Sequence, residues 1–284
     1  MEGMDRLGSG IHLVTIHFHR RGKNEYKKMM ITSLITPLIE PLFSQGLSIA
    51  WENRNHFKLY AKTKFGKYKE EYIRFSLSGL YKIQIPETNK YLLVLNRRIE
   101  NQLQPAGGVY KRYPTSDSQF NDWGFKPDNS KNGLDVDKYS NGDLRFMVKG
   151  KHAVDVLNWF ASQKGRETEP RREFKEELID TNILDQKTFS HFDQQLIRRY
   201  STDLKWSDFF GCYEILVYDV FELLPNEDQK RALSQLAEKG SNLVLGYAIV
   251  SCDEIEQLRF MEEGRQIARI GQHAHLLINK DLKK

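Results

Sequence analysis

The chain has 284 residues, of which 39% are hydrophobic and 29% are charged. That balance predicts a folded protein with a buried core and excludes an intrinsically disordered chain. The net charge is only +5, from 43 basic and 38 acidic residues, so an anionic ligand is permitted but nucleic acid is not the expected partner.

The cysteines and the apolar runs bear on the compartment. Cys212 and Cys252 form no C-x-x-C pair, and both lie in apolar runs, as free thiols of a reducing cytoplasm do. The longest apolar stretch, residues 29–51, contains two prolines and a glutamate and is a poor membrane span. We therefore expect a cytoplasmic protein without membrane contact, and we leave assembly into a homo-oligomer open.

The chain order predicts an N-terminal extension, residues 1–72, followed by a larger domain, residues 73–284. In the extension, residues 11–19 are predicted to be a strand and residues 29–43 a helix bent at its prolines, so the extension is α+β. Its role is not indicated by any motif.

Residues 73–108 are predicted to be a β-hairpin. Apolar residues alternate through 73–85, turn-forming residues follow, and residues 91–95 are continuously apolar. A Pro-Ala-Gly-Gly sequence ends this region at Gly108, where glycine allows the backbone to approach a ligand closely.

Residues 109–165 are predicted to be an insertion dominated by loops. Within it, residues 143–148 resemble a strand and residues 152–160 a helix. Because the insertion leaves directly from the double glycine, we expect it to cover one side of the site. Its aromatic residues Tyr110, Trp123 and Phe125 are candidates for stacking on a base, or else for core packing.

The remaining residues alternate between strand and helix signals. Strands are predicted over residues 211–224 and 243–250. A helix is predicted over residues 228–239, which end before a glycine, and further helices over 253–260 and 271–279. Alternation of this kind indicates an α/β fold.

Three glutamates are the strongest indication of chemistry. Residues 172–179 are predicted to be a helix, in which Glu173, Glu176 and Glu177 lie at i, i+3 and i+4 and so share one face. Carboxylates held together repel each other, and a hard cation such as Mg²⁺ or Mn²⁺ offsets that repulsion. An ordinary charged surface helix with an Arg172–Glu176 ion pair is the alternative interpretation.

The same residues carry a family resemblance. The sequence REFKEEL of residues 172–178 resembles the second half of the Nudix box, G-x5-E-x7-R-E-U-x-E-E-x-G-U, in which U is apolar. The preceding Pro-Ala-Gly-Gly turn is similar to the glycine turn of that family. The resemblance implies a Nudix α/β/α sandwich with a mixed sheet, in which the glutamates bind the divalent ions and Arg172 orients Glu173.

The first half of the box departs from the pattern. Lys164 stands where the family has Glu, Asn158 where it has Gly, and Ile179 replaces the last Gly. We interpret residues 165–167, Gly-Arg-Glu, as a displaced Gly-x-Glu. A lysine does not ligate Mg²⁺ while it is charged, so the role of the missing carboxylate moves to Glu167 or is lost.

One branch of the family fits better than the general pattern. Residues 73–280 resemble the SMODS-associated Nudix domain of bacterial antiphage (CBASS) operons, which lies beside cyclic-oligonucleotide synthases. The runs that carry the resemblance are residues 74–80, 95–98, 105–111, 143–145, 158–160 and 165–167.

The resemblance implies an Mg²⁺-dependent hydrolase of a nucleoside-diphosphate-linked or other nucleotide substrate, acting in antiphage defence. Glu167, Glu173 and Arg172 are the expected catalytic residues. The expected metal ligands are Glu173, Glu176, Glu177 and Gly108, and the expected substrate-binding residues, chosen because guanidinium groups match phosphate oxygens, are Arg97, Arg98, Arg145 and Arg166.

A protein of a different class remains open. The altered first half of the box favours a catalytically weak Nudix-fold sensor that binds a cyclic oligonucleotide or another nucleotide second messenger. The three-glutamate face opposes that alternative, because a sensor has no need of a metal there.

Overall fold

The computed structural model of the protein describes residues 58–128 and 142–278. Within these residues, two mixed β-sheets pack around two hydrophobic cores and are flanked by helices. The predicted α/β class is therefore confirmed. None of the helices in these two ranges is long and apolar enough to cross a membrane.

In the part of the chain that the structure describes, twelve strands form the two sheets. In chain order they are β1 (Tyr72–Lys82), β2 (Lys90–Leu95), β3 (Gln102–Gln104), β4 (Gly107–Val109), β5 (Lys126–Pro127), β6 (Arg145–Lys149), β7 (Asp193–Ser201), β8 (Lys205–Ser207), β9 (Cys212–Leu224), β10 (Tyr247–Ser251), β11 (Arg259–Glu262) and β12 (Arg265–Ile270). The first sheet has the order β5-β6-β1-β9-β7, with β4 on β1 and β8 on β9, and the second has the order β10-β2-β3-β12-β11.

Short helices connect the strands. They are α1 (Asp117–Asp122), α2 (Ala153–Ser162), α3 (Arg171–Phe174), α4 (Gln186–Phe189), α5 (Glu227–Glu238) and α6 (Cys252–Gln257). The helix α3 continues into a π-helical turn, Lys175–Ile179, and 3₁₀ turns occupy Pro114–Ser116, Gly150–His152 and Gln272–Ile278. Another π-helical turn, Ala61–Phe65, precedes β1.

Alternate residues of β1 face two different cores. Phe75 and Leu77 pack in the larger core, which also receives Phe174 from α3. Leu80 points to the other side and packs with the second sheet. Since side chains of a strand alternate between its faces, one face of β1 packs in the core that contains α3, and the other face packs in the second core.

The predicted hairpin of residues 73–108 exists only at its turn. Near the turn, Ile83 and Ile85 pair with Leu92 and Lys90 through backbone hydrogen bonds of 2.9 Å. Beyond the turn the two strands diverge, because β1 pairs with β9 whereas β2 pairs with β10 and β3. The turn is thus a corner that joins the two sheets.

Near the C terminus, the structure confirms two of the predicted elements and differs from the prediction at two others. The strand and helix predicted at 211–224 and 228–239 are present as β9 and α5, and α5 begins with a capping box of Asn226 and Gln229. The helix predicted at 253–260 ends at Gln257, where Leu258 is left-handed and starts the β11–β12 hairpin. Residues 243–246 form a turn before β10.

The predicted insertion contributes mainly to the core. Tyr110, Trp123 and the intervening Phe120 are buried, and Phe125 packs against the same core. Phe120 lies edge-on to Trp159 of α2, with ring centroids 4.9 Å apart. Core packing is therefore the role of these rings, and the suggestion that they stack on a base is not supported.

The remaining expectations concern parts of the chain that lie outside the described residues. These are the strand at residues 11–19, the helix at residues 29–43 and the centre of the loop region between residues 129 and 141. They stay predictions, as does the domain boundary at residue 72.

Candidate active site

A cavity of about 630 Å³ opens beside the glutamate-bearing helix, and this volume suits a nucleotide-sized ligand. Its walls come from β1, the loop after β2, β4, the start of β6, α3 with its π-helical turn, β9 and the segment after β12. The lining residues are Ser78, Leu80, Asn96, Arg97, Arg98, Ile99, Gln104, Pro105, Gly107, Gly108, Val109, Asp143, Arg145, Arg172, Glu173, Glu176, Glu177, Tyr218 and His273.

The three predicted glutamates reach this cavity together. Phe174 and Leu178 anchor the helix in the core, which turns Glu173, Glu176 and Glu177 towards the cavity. The π-helical turn is marked by a backbone hydrogen bond from residue 180 to residue 175, five positions apart. A wider turn of this kind is frequent at functional sites. It leaves Glu177 buried, while Glu176 remains 42% exposed at its side chain.

The double glycine is shaped to fit these carboxylates. The backbone N–H of Gly107 donates to Oε2 of Glu177 at 2.8 Å. A Cβ atom on Gly108 would lie 2.5 Å from Cδ and 2.6 Å from Oε1 of Glu173. Gly107 has a φ of +135°, which favours glycine, so side chains are excluded here both by space and by backbone conformation.

Arg172 lies between the carboxylates. Its Nη1 donates to Oε1 of Glu173 at 2.8 Å and lies 3.4 Å from both carboxylate oxygens of Glu176. Its Nε donates to Oε1 of Glu167 at 3.0 Å, and its Nη2 donates to the carbonyl oxygen of Val109 at 3.1 Å. The guanidinium group thus fixes the orientation of Glu173.

Glu167 lies behind Arg172 and does not line the cavity. Both of its carboxylate oxygens accept hydrogen bonds from Arg172, and Oε2 also accepts from the backbone N–H of Lys111 at 2.9 Å. The Glu167 backbone N–H donates to the Lys111 carbonyl oxygen at 2.8 Å. These contacts join Glu167 to the segment after β4 and commit its carboxylate to holding Arg172.

The cavity carboxylates are electrostatically unusual. Burial raises the pKa of Glu177 to about 8, although the hydrogen bond from Gly107 opposes the rise and the charge of Glu173 adds to it. Burial also raises the pKa of Glu173, against the opposing charge of Arg172. Asp143 shows a rise for the same reason, opposed by Arg145. Desolvated carboxylates at short range favour protonation or a bound cation.

The predicted arginines occupy different surroundings. Arg97 and Arg98 are exposed at the cavity wall, and Nη2 of Arg97 donates to the carbonyl oxygen of Glu176 at 2.7 Å. Arg145 also lines the cavity, where its Nη2 donates to Oδ2 of Asp143 at 2.6 Å. All three can present N–H groups to an anionic ligand in the cavity.

Arg166 lies elsewhere, in the protein interior. Only 2% of it is exposed, its guanidinium group donates to the carbonyl oxygen of Phe160, and it stacks 3.7 Å from the centroid of the Phe160 ring. Burial lowers the pKa of Arg166 to about 10. It does not line the cavity, so the expected phosphate contact does not extend to it.

The donor chemistry of the cavity fits a hard divalent cation, because buried carboxylates with raised pKa values lie beside glycine backbone. As the side chains lie here, no three His, Cys, Asp or Glu residues of the described ranges are close enough together to hold a metal ion. The positive charge beside Glu173 and Glu176 comes from the guanidinium group of Arg172. Binding of a cation would therefore require Glu176 or Glu173 to turn away from Arg172.

Several cavity residues were not anticipated as site residues. Asp143 begins the run 143–145, which carries the family resemblance, and this signal could have identified it. Tyr218 is a partly buried residue of β9 whose two neighbours in the sequence are buried, and His273 lies in the 3₁₀ turn Gln272–Ile278. No local pattern marks either of them, because they meet only when the two sheets pack.

Comparison with known proteins gives one match. The family described as the SMODS-associated NUDIX domain matches residues 72–278. A search of curated proteins and a search of solved structures each found no match. The matched residues include β1, the double glycine and the glutamate helix, and they make up more than half of the chain. The chain therefore belongs to the SMODS-associated Nudix domain family.

Proposed function

We propose that this protein is an Mg²⁺- or Mn²⁺-dependent hydrolase of a phosphoanhydride in a nucleotide substrate, such as a nucleoside diphosphate linked to another group, and that it acts in bacterial antiphage defence. The observation that carries the proposal is the pairing of Glu173 and Glu177 with Gly108 and Gly107 in one cavity. This pairing supports a hydrolytic site of the Nudix type.

Glu173, Glu176 and Glu177 would hold the divalent ion, and the backbone of Gly108 lies beside them as a further candidate ligand. When bound, such an ion neutralises phosphate charge and lowers the pKa of a water molecule. Glu176 has the most exposed of the three carboxylates, and its contacts with Arg172 are long. Reorienting its side chain towards a metal ion therefore costs less free energy than reorienting either of the other two.

The remaining polar residues divide into positioning and binding roles. Glu167 was expected to be a catalytic residue, but its contacts support a positioning role, in which it holds Arg172 and Arg172 holds Glu173. Glu173, with its raised pKa, is then our candidate for accepting the proton of the attacking water. Arg97, Arg98 and Arg145 would bind the phosphate groups.

The sensor is a second candidate, and one observation favours it. Arg172 occupies the space among the carboxylates and satisfies Glu173 without a metal. A protein that binds a nucleotide and signals without hydrolysing it would retain this arrangement. Soaking crystals in Mn²⁺ separates the two, because the sensor predicts no metal density beside Glu173 and Glu177.

The decisive experiment is a hydrolysis assay on a panel of nucleotides with Mg²⁺ or Mn²⁺, in which the released phosphate species are identified. We expect turnover by the wild type and a loss of at least about 100-fold in Glu173→Gln. Glu238→Gln, an exposed carboxylate on α5, is the matched control and should retain full activity. Absence of turnover on every nucleotide, with nucleotide binding retained, would favour the sensor.

A further inference from the structure

Two aromatic rings from distant parts of the chain lie together in the wall of the cavity. Tyr218 comes from β9 and His273 from the 3₁₀ turn after β12. Their ring centroids are 6.1 Å apart and their planes differ by only 6°, so the rings form an offset stack. Both rings line the cavity that also contains the glutamates.

The position of the pair is fixed by the backbone. Tyr218 lies beside Ser78 in the parallel pairing of β1 with β9. Gly271 closes against His273, because a Cβ atom on Gly271 would lie 2.8 Å from Cε1 of the His273 ring. The Gly271 N–H also donates to the carbonyl oxygen of Leu103 at 2.8 Å. The pairing of β9 with β1 and the contacts of Gly271 thus hold both rings in the cavity wall.

Both rings are uncharged at neutral pH. Burial lowers the pKa of His273 to about 4 and raises that of Tyr218 to about 12. Neither residue forms an ion pair with any residue of the described ranges. A neutral aromatic stack does not attract phosphate by charge, but it offers a flat surface to another planar ring.

The rest of the cavity wall has a different character. Among its described lining residues, Tyr218 and His273 are the only aromatic rings, whereas Arg97, Arg98 and Arg145 supply positive charge. A ligand that satisfies both surfaces has a planar ring at one end and phosphate at the other. A nucleotide has this chemistry, and inorganic pyrophosphate or a sugar phosphate lacks the ring.

We propose that Tyr218 and His273 form a base-binding subsite, on which the nucleobase of the ligand stacks while its phosphates reach the arginine and glutamate side of the cavity. The proposal rests on the proposed function and deepens it, because it makes the base a determinant of affinity. By the same reasoning, the aromatic residues of the predicted insertion have no part in base recognition.

Paired ligands that resist hydrolysis test the subsite. We would measure binding of the α,β-methylene analogues of ADP and UDP, and of methylenediphosphonate, which keeps the phosphate part and lacks the nucleoside. We expect His273→Ala to weaken binding of the nucleotide analogues by about 5- to 150-fold, the range of one lost stacking contact, and to leave methylenediphosphonate binding unchanged. His273→Phe, which retains a ring, should restore most of the affinity.

Two controls keep the result interpretable. Tyr113→Leu removes an exposed ring outside the cavity lining and should bind all ligands as the wild type does. Nuclear Overhauser contacts between base protons and the ring protons of Tyr218 or His273, measured in the wild type, do not depend on a variant that folds correctly.

The outcomes separate the two proposals. Unchanged nucleotide affinity in His273→Ala, or bound nucleotide without ring contacts to the pair, overturns the subsite and leaves the proposed function standing if methylenediphosphonate still binds. Failure of the wild type to bind any of the three ligands with Mg²⁺ present overturns both the subsite and the proposed function.

Discussion

Glu177 accepts a hydrogen bond from the backbone N–H of Gly107 at 2.8 Å, and this contact joins the glutamate helix to the glycine turn. The carboxylate that makes it is buried and carries a raised pKa of about 8. A single hydrogen bond thus holds a residue that the surroundings prefer to keep protonated. The buried position of this side chain therefore disfavours its negative charge, which destabilises the folded protein when Glu177 is ionised.

In the absence of divalent ions, Glu177→Gln should stabilise the protein at alkaline pH. The folded-state pKa of about 8 lies above the ordinary value of 4.5, so the folded protein holds this proton more tightly than the unfolded chain. The stability of the wild type that depends on Glu177 is therefore present below pH 4.5 and is lost as the pH rises to about 8. The Gln variant keeps an oxygen for the Gly107 N–H and carries no charge.

Urea denaturation of both proteins in EDTA, across this pH range, measures the difference. We expect the unfolding free energy of the variant, relative to that of the wild type, to increase steadily with pH and to level off above about pH 8. Glu238→Gln controls for removal of an exposed carboxylate. Parallel stability curves for Glu177→Gln and the wild type would show that the Glu177 pKa is not raised.

Glu176→Gln should weaken Mg²⁺ binding by roughly tenfold or more, because removal of one carboxylate lowers both the charge and the number of oxygen ligands. Isothermal titration calorimetry with Mg²⁺ measures the affinity, and Glu238→Gln should bind as the wild type does. Equal affinities of the wild type and Glu176→Gln would remove Glu176 from the proposed ligands.

Arg172 and Glu167 should act as one unit. Arg172→Met removes the contact between them and Glu167→Gln removes the charge and one acceptor oxygen of that contact, so the double variant should lose little more turnover than Arg172→Met alone. A double-mutant cycle of unfolding free energies should give a coupling of about 0.5–3 kcal/mol, since the two side chains are in direct contact. The partial exposure of both side chains, 26% and 17%, places the value towards the lower end.

The same variants test whether Glu167 is a base. A base that takes a proton from water would make Glu167→Gln lose about 10²- to 10⁴-fold in turnover at unchanged stability, well beyond Arg172→Met. That result would contradict the positioning role and return Glu167 to the catalytic residues.

Gly108→Ala should disrupt the site. Its Cβ would lie 2.5 Å from Cδ of Glu173, which Arg172 holds in place, so the helix or the glycine turn must move. We expect a loss of about 1–3 kcal/mol in unfolding free energy together with a loss of turnover. Gly264→Ala is the control, because nothing lies within 4 Å of its added Cβ and its cost comes from a φ of +76° alone. A Gly108→Ala protein with full turnover would contradict the tight packing described here.

The glutamate helix, the strand β9 and the helix α5 could be predicted from the sequence because local patterns determine them. Apolar residues at helical or alternating spacing require one buried face, and a motif confined to six or seven residues keeps its relative geometry in any fold that preserves the helix. The same reasoning predicted that Glu173, Glu176 and Glu177 would share one face, and all three line the cavity.

Other features were decided only by the tertiary structure. Some of these features depend on segments that are distant in the sequence, namely the division of the predicted hairpin between two sheets and the stack of Tyr218 on His273. Others depend on the solvent exposure of the site, namely the contact of Glu167 with Arg172 and the burial of Arg166. A local pattern specifies which side chains share a face but not what packs against that face. Burial and long-range pairing supply that second surface, and with it the charge state and the partners of each residue.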